Sequence, residues 1–264
     1  MNTNKKVIQM KKVFILLFAA LVCACTGQQG GNTADELPEL SWGTASLCIE
    51  NPVAPDAKEC YHIEINLDTL EGGSELAKQL GAVLQDSVLY MSGYASIREA
   101  MTTVVDSLES EWKAELVERY DPDSEYKDTY QYYYTISGSP EDNGQDSIVS
   151  YMTQTDCYLG GAHGSHVVQY FNFNRESGKL LNISDIVPAE KEMLVLEAMG
   201  DKLCEDWGAK DLADLQEKTG ITMLGDLYLT NNFLLKGDSI LFLFNQYEIA
   251  PYAAGLISVT LPRP

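Results

Sequence analysis

The N-terminal segment limits which part of this chain can form a folded core. Residues 1–12 carry four lysines and no acidic residue, and residues 13–22 form an unbroken apolar run. This run is about half of the roughly 20 residues that a membrane-spanning helix needs. A basic start followed by a short apolar run is typical of a secretory signal peptide. We therefore expect the signal peptide to occupy residues 1–24 and the fold to lie beyond it, outside the cytoplasm.

The end of the apolar run carries a lipidation motif. Val22-Cys23-Ala24-Cys25 resembles the bacterial lipobox, with an aliphatic residue, then a small residue, then Cys after the cut. The resemblance implies that diacylglycerol is attached to the Cys25 thiol, so that this lipid anchors the chain to the membrane. Thr26, rather than Asp, follows the anchor, which by analogy with lipoprotein sorting favours the outer membrane, facing the periplasm. Residues 25–40 are polar and Gly-rich and predict a flexible tether.

The composition excludes several classes of protein. The chain has 264 residues, of which 45% are hydrophobic and 22% charged, as in a globular protein rather than a disordered or collagen-like one. Its formal net charge of -21 would repel phosphate, so we expect no nucleic-acid partner. The 3 His argue against a His-rich metal site, and we expect neither a metal nor a cofactor.

Residues 41–137 predict a small module of strands and helices. Apolar and polar residues alternate over residues 60–68, as in a half-buried strand, and residues 46–50 predict a partner strand. Ser74 and Ser96 are suitable N-caps, each followed by apolar residues at helical spacing. The module therefore has a β-α order, with two helices after the first two strands.

Cysteines beyond the predicted cleavage site are candidates for disulfides. Cys48 and Cys60 flank an acidic loop that contains proline, so a disulfide between them is our first expectation. In the chain-entropy model such a bridge contributes about 3 kcal/mol. The states of Cys157 and Cys204 stay open, because four cysteines permit three pairings.

Residues 138–264 predict a larger module that is richer in strands. A Tyr-rich strand over residues 126–137 leads to a turn over residues 138–146. The further predicted strands are residues 148–158, 167–174, 228–235, 240–246 and 256–261, and the predicted helices are residues 189–207 and 212–218. The whole chain therefore predicts an α+β fold of antiparallel sheets with packed helices, in which a small N-terminal β-α module precedes a larger α/β C-terminal module.

Two loops of the second module have the residues of a binding site. Residues 158–164 are rich in glycine, which permits positive φ and close backbone approach, so they predict either a backbone-lined pocket or a tight crossover inside the sheet. Residues 245–255 place tyrosines after a very apolar strand, either as a contact surface or as core. The predicted ligand-binding residues are Tyr158, Gly160, Gly161, Ala162, His163, Gly164, Tyr247, Glu248, Pro251 and Tyr252.

Catalytic signatures are missing from the sequence. It has no Gly-x-Ser-x-Gly elbow, no phosphate-binding Gly-x-x-x-x-Gly-Lys loop and no His-Glu-x-x-His pair. We therefore expect no enzyme. A hydrolase that uses His163 as a general base is the least favoured alternative.

Several short motifs occur in a fixed order along the second module. They are Tyr158 with residues 160–164, Ser177-Gly178-Lys179, Ser184-Asp185-Ile186-Val187 and residues 247–255. This succession resembles the domain of unknown function found in the extracytoplasmic part of RsiV-type anti-sigma factors and before the catalytic domain of PdaC-type peptidoglycan deacetylases. The resemblance implies an RsiV-like domain over residues 138–264 and a PdaC-like module over residues 41–137.

The same resemblance implies a binding function. In RsiV-type proteins it implies a receptor for lysozyme, so a lysozyme-type muramidase is the expected ligand, to be sensed or inhibited. A peptidoglycan-binding or remodelling accessory protein is the alternative. We see no counterpart of a cytoplasmic sigma-binding segment or of a deacetylase domain, and expect a stand-alone lipoprotein of the cell envelope.

Overall fold

The computed structural model describes residues 39–264, which fold into two β-sheets and four α-helices. The predicted signal peptide, the predicted lipid anchor at Cys25 and nearly all of the predicted tether lie outside the described residues. Among the helices of residues 39–264, none has the length and apolar character needed to cross a membrane.

The first sheet contains six strands in chain order. They are β1 (Trp42–Pro52), β2 (Cys60–Leu70), β3 (Tyr133–Glu141), β4 (Ile148–Tyr158), β5 (Ser165–Asn174) and β6 (Leu180–Leu181). Neighbouring strands are antiparallel except β2 and β3, which run parallel. A parallel pair needs a long crossover, which α1 (Glu75–Val83) and α2 (Ile97–Arg119) provide. The α+β prediction is confirmed, and the parallel pair is a feature that it did not include.

Both crossover helices begin where the serines predict. Ser74 Oγ accepts a hydrogen bond from the Ala77 N–H at 3.1 Å, and Ser96 Oγ accepts one from the Glu99 N–H at 3.2 Å. Each bond satisfies a backbone donor that has no partner within the first helical turn. A π-helical turn, Leu84–Val88, continues directly from α1.

The two helices cover one face of the first sheet. The side chains of β2 that point towards them are fully buried; these are Tyr61, Ile63, Ile65 and Leu67. Trp112 of α2 packs edge-on between Tyr61 and Tyr132, with ring centroids 5.9 and 5.7 Å away. Such perpendicular contacts are favourable between aromatic rings. The alternate residues of β2 face the other way and stay partly exposed, so the opposite face of this sheet region is polar.

The second sheet has its own core. Its strands are β7 (Phe233–Lys236), β8 (Ser239–Phe244) and β9 (Ile257–Pro262), all antiparallel. The helices α3 (Glu192–Asp206) and α4 (Leu212–Thr219) contribute buried side chains to this core, among them Met199 and Leu215. Gly220 ends α4 with φ 75, the left-handed conformation that glycine commonly adopts after the last turn of a helix.

The predicted boundary between the two modules falls inside a strand. β3 runs from Tyr133 to Glu141 and therefore crosses residues 137 and 138, so the six-stranded sheet is continuous there. The buried hydrophobic residues nevertheless form two clusters, one from Ala45 to Phe173 and one from Ile183 to Leu261. The division into two modules stays a prediction.

One predicted strand is wrong at its N-terminal end. Lys127–Tyr130 forms a 3-10 turn rather than the start of β3, because Thr129 bonds locally: both its N–H and its hydroxyl donate to Tyr126 O. The predicted turn at residues 138–146 also begins later. Pro140 lies within β3, beyond the point where β2 pairs with it, and proline is tolerated where one edge of a strand is free.

The expected disulfide between Cys48 and Cys60 is absent, and all four cysteines of residues 39–264 are free. In the β1–β2 register, Cys48 lies opposite Glu64 and Cys60 lies opposite Pro52. Four residues of strand separate the two positions, which is about 13 Å. A disulfide requires Cα atoms within about 7 Å, so this register excludes the bridge.

Side-chain amides join the two sheets along the outer edge of β5. Within the described chain this edge pairs with β6 only at Asn172 and Phe173. Further along, Asn245 Oδ1 accepts from the Val168 N–H at 2.8 Å, and Asn245 Nδ2 donates to Val168 O at 3.0 Å. Asn232 Oδ1 accepts from the Tyr170 N–H at 2.9 Å. These amides replace a neighbouring strand and satisfy backbone groups that burial would otherwise leave unpaired.

Asn172 forms the reverse connection, from the first sheet to the second. Its Nδ2 donates to Phe233 O at 2.6 Å, and its Oδ1 accepts from the Ser150 hydroxyl at 2.7 Å and from the Leu235 N–H at 3.4 Å. The side chain is almost completely buried. Removing it would leave several buried groups without partners.

We predict that Asn172→Ala lowers the free energy of unfolding by about 3 kcal/mol, because buried donors and acceptors then lose their partners. Chemical denaturation measures this loss. Asn66→Ala is the matched control: Asn66 is partly exposed on β2, and its loss should cost less than about 1 kcal/mol. Equal losses of unfolding free energy for the two variants would contradict the importance of the Asn172 contacts between the sheets.

Candidate functional site

The two loops that the sequence singles out meet at the surface. Residues 159–164 connect β4 to β5, and residues 245–256 connect β8 to β9. The His163 ring stacks on the Tyr252 ring, with centroids 3.7 Å apart and planes at 20°. The Tyr247 hydroxyl lies 3.3 Å from His163 Nε2. Residues far apart in sequence therefore share one cluster of rings.

The hydrogen bonds of His163 define its tautomer. Its Nδ1 lies 2.9 Å from Gly164 O, and a carbonyl oxygen only accepts, so Nδ1 carries the hydrogen. In the neutral ring Nε2 then accepts from the Tyr247 hydroxyl. Both ring nitrogens are occupied, which holds the imidazole in place against Tyr252.

Tyrosines at the end of β4 and the start of β3 extend the cluster. Tyr133 and Tyr158 are cross-strand partners, and their rings stack with centroids 6.0 Å apart. The Tyr158 hydroxyl donates to Gly161 O at 3.0 Å, which connects this pair to the loop of His163. We call the five rings of Tyr133, Tyr158, His163, Tyr247 and Tyr252 the aromatic surface.

Tyr247 has an unusual backbone. Its φ is 68, in the left-handed region that non-glycine residues rarely adopt, and its side chain is 53% exposed. Such conformations cost free energy and persist where surrounding contacts impose them. The Glu248 N–H supplies one such contact by donating to Asn245 O at 3.2 Å. The fold therefore holds this tyrosine outwards.

Glu248 supports the loop rather than facing the ring cluster. One carboxylate oxygen accepts from the Tyr228 hydroxyl at 2.9 Å, and the other accepts from Asn245 Nδ2 at 3.2 Å. Burial raises the pKa of Tyr228, and the bond to the Glu248 carboxylate raises it further. Tyr228 therefore stays a neutral donor that fixes this carboxylate.

Pro251 faces the end of α4. A Cβ added at Gly220 would lie 2.9 Å from Pro251 Cδ, so the two residues are in close contact. The short 3-10 turn Tyr252–Ala254 follows directly. The contact with Gly220 at the end of α4 holds Pro251 in place. Pro251 in turn fixes the start of the turn that presents Tyr252.

The glycines have different roles. Gly160 has φ 76, and a Cβ there would lie 2.6 Å from Thr129 O. A Cβ at Gly164 would lie 2.8 Å from Cys157 O. At Gly161 only a distant contact at 3.9 Å would arise, and residues 161–163 are exposed. The loop is a tight surface turn rather than a crossover buried inside the sheet, and the binding role of its residues stays a prediction.

His166 has a partner that sequence reasoning did not find. It lies opposite Asp156 in the β4–β5 register, with His166 Nδ1 2.5 Å from Asp156 Oδ1. Burial would raise the pKa of Asp156, but hydrogen bonds from Gln154 and His166 outweigh it and lower this pKa. The sequence could have placed Asp156 on the same face as Tyr158, because alternate residues of a strand share a face. It could not have paired Asp156 with His166, because that pairing depends on the β4–β5 register.

Comparison with known proteins supports the family resemblance in part. The family model described as "Protein of unknown function (DUF3298)" matches residues 184–264. Residues 184–264 are therefore similar to the DUF3298 domain. The matched residues include Tyr247 and Tyr252 but not His163. The finer assignment to RsiV-type or PdaC-type proteins stays a prediction.

Solved structures share the fold. A DUF3298-family protein from Bacteroides fragilis is 19% identical, with a TM-score of 0.73 over 86% of this chain and 92% of that one. A second one, from Pseudomonas aeruginosa PAO1, is 17% identical, with a TM-score of 0.59 over the same shares of each chain. Among the curated proteins the comparison found no match. Both likenesses cover 86% of this chain, more than the residues that the family model matches.

We predict that Gly160→Ala destabilises the protein by about 2–4 kcal/mol, because the new methyl group meets Thr129 O and the backbone must leave its positive φ. Gly161→Ala is the matched control and should change the free energy of unfolding by less than about 0.5 kcal/mol. Thermal and chemical unfolding of both variants give the comparison. Equal stabilities would contradict the close approach at Gly160.

Proposed function

We propose that this protein is a non-enzymatic lipoprotein of the cell envelope, anchored through Cys25, and that its aromatic surface binds a lysozyme-type muramidase. Binding would serve to sense or to inhibit that enzyme. The convergence of the two motif loops on one exposed surface, with His163 stacked on Tyr252, is the observation that carries the proposal. Those loops also carry the resemblance to the lysozyme-binding RsiV-type domain.

The chemistry of the surface supports a protein ligand. Tyrosine offers a large, rigid contact area with a polar end, and tyrosines are enriched among the residues that dominate binding energy at interfaces. Tyr247 is held outwards at an energetic cost, which is typical of functional positions. Because its side chain is also 53% exposed, Tyr247 is the first residue to test.

The charge of the chain supports a basic ligand. A formal net charge of -21 produces a negative field that steers basic proteins and speeds their association. Muramidases of the lysozyme type are the basic candidates that the motif resemblance implies. Binding should therefore weaken as salt rises, because salt screens this attraction.

The environment of His163 supports binding rather than catalysis. Its two ring nitrogens contact a carbonyl oxygen and a tyrosine hydroxyl, so neither nitrogen is free. A general base needs a free nitrogen within reach of a substrate proton. The hydrolase alternative is therefore the weaker proposal.

We predict that the full-length protein binds hen egg-white lysozyme with 1:1 stoichiometry and that Tyr247→Ala weakens binding at least tenfold, as for a central interface tyrosine. Calorimetry at low and at physiological salt measures both effects. Tyr90→Ala is the matched control, since Tyr90 also has positive φ and is 76% exposed but lies outside the cluster. No heat of binding and no loss of lytic activity would reject this ligand.

A peptidoglycan-binding accessory role is the second candidate. The stacked pair Tyr133 and Tyr158 presents ring faces of the kind on which sugars stack, and polar side chains surround them on the sheet. If this role is correct, the purified protein pellets with isolated sacculi in the absence of other proteins. Tyr158→Ala should then reduce the pelleted fraction severalfold, whereas Tyr90→Ala should not. Pelleting without lysozyme binding would favour this candidate over the first.

A further inference from the structure

The polar face of the β1–β2 hairpin carries four side chains of metal-binding type in a square. Cys48 lies opposite Glu64, and Glu50 lies opposite His62. Since alternate residues of a strand share a face, all four side chains project from the same side. The intervening residues of β2 are buried beneath α1 and α2, so the four positions are on a rigid support.

Three of these side chains are already close together. The Sγ of Cys48, a ring nitrogen of His62 and a carboxylate oxygen of Glu64 lie within 4.8 Å of one another. His62 Nε2 is 3.2 Å from Glu64 Oε2. Ligands at about 2.0–2.3 Å from a tetrahedral zinc ion stand about 3.3–3.8 Å apart. Zinc binding would therefore draw the three atoms closer together, and the side chain of Cys48 is exposed.

The remaining oxygen of Glu64 has a partner that orients the carboxylate. Asn66 Nδ2 donates to Glu64 Oε1 at 2.6 Å, and the Ser46 hydroxyl in turn donates to Asn66 Oδ1. This leaves Oε2 directed towards His62. Metal-binding carboxylates are commonly held in this way by hydrogen bonds to their second oxygen.

The donor set and the local charge select the metal. Thiolate, imidazole and carboxylate together suit Zn²⁺, whereas Ca²⁺ and Mg²⁺ prefer oxygen ligands alone. Burial raises the pKa of the Cys48 thiol, and the carboxylates of Glu64 and Glu50 raise it further. The same negative charges attract a divalent cation, which displaces the thiol proton on binding.

We propose that Cys48, His62 and Glu64 form a zinc site, with water in the fourth position and Glu50 adding negative charge beside it. The zinc proposal does not rest on the proposed ligand-binding function: its residues belong to β1 and β2, and its test measures metal binding alone. Sequence analysis missed it because one ligand comes from β1 and two come from β2, and only the register brings them together.

The test uses the full-length protein, purified under reducing conditions and freed of metal. We expect one Zn²⁺ per chain by competition with a chromophoric chelator, and a thiolate-to-cobalt charge-transfer band when Co²⁺ is added. Cys48→Ser, His62→Gln and Glu64→Gln should each weaken Zn²⁺ binding at least about tenfold. Cys60→Ser and His166→Gln are matched controls and should leave the affinity unchanged.

A measurement on the unaltered chain keeps the proposal independent of the variants. Zn²⁺ should slow alkylation of Cys48 at least severalfold and leave alkylation of Cys60 unchanged, as read by mass spectrometry of the modified peptides. Absence of the thiolate band, or equal protection of both cysteines, would overturn the site. Loss of lysozyme or sacculus binding with intact zinc binding would reject only the proposed function.

Discussion

The candidate site depends on the asparagine junction, the set of hydrogen bonds that Asn172, Asn232 and Asn245 form between the two sheets at β5. Asn245 bonds both backbone groups of Val168, and the next residue, Gln246, accepts from the His166 N–H at 3.3 Å. Tyr247 follows immediately. The same loop that presents this tyrosine is therefore fastened to β5, and β5 begins directly after the loop of His163. The junction explains why two distant loops meet with their rings in contact.

Buried amides make this junction specific as well as stable. An unpaired buried polar group costs about 1–3 kcal/mol, so an alternative arrangement of the two sheets would be penalised at each amide. Hydrophobic contacts alone allow sliding, whereas Asn172 and Asn232 must meet particular carbonyl and N–H groups. If β5 shifted by one residue, its backbone groups would no longer face these asparagine side chains, and the hydrogen bonds between them would be lost. The aromatic surface inherits its geometry from this constraint.

Local features of the fold were predictable from sequence and long-range ones were not. The strand at residues 148–158 and the N-caps Ser74 and Ser96 agree with the structure, because alternation and capping are encoded by neighbouring residues. The register that separates Cys48 from Cys60, the parallel pairing of β2 and β3, and the stacking of His163 on Tyr252 depend on distant segments. The junction asparagines resemble loop residues in sequence, since only their burial distinguishes them.

The proposed zinc site and the aromatic surface share one face of the sheet. His62 is the β2 partner of Tyr133, and Tyr133 in turn stacks on Tyr158. Adjacent strands are about 4.8 Å apart, whereas a protein–protein interface of ordinary size covers about 800 Å² on each partner. A folded protein centred on Tyr133 would therefore also cover His62, but a sugar ring stacked on Tyr158 would not. If both proposals hold, zinc affinity changes when a protein ligand binds, and by linkage the ligand's affinity changes with zinc by the same factor. The size of the ligand therefore decides whether zinc affects its binding, because the spacing of three strands sets how far His62 lies from Tyr158.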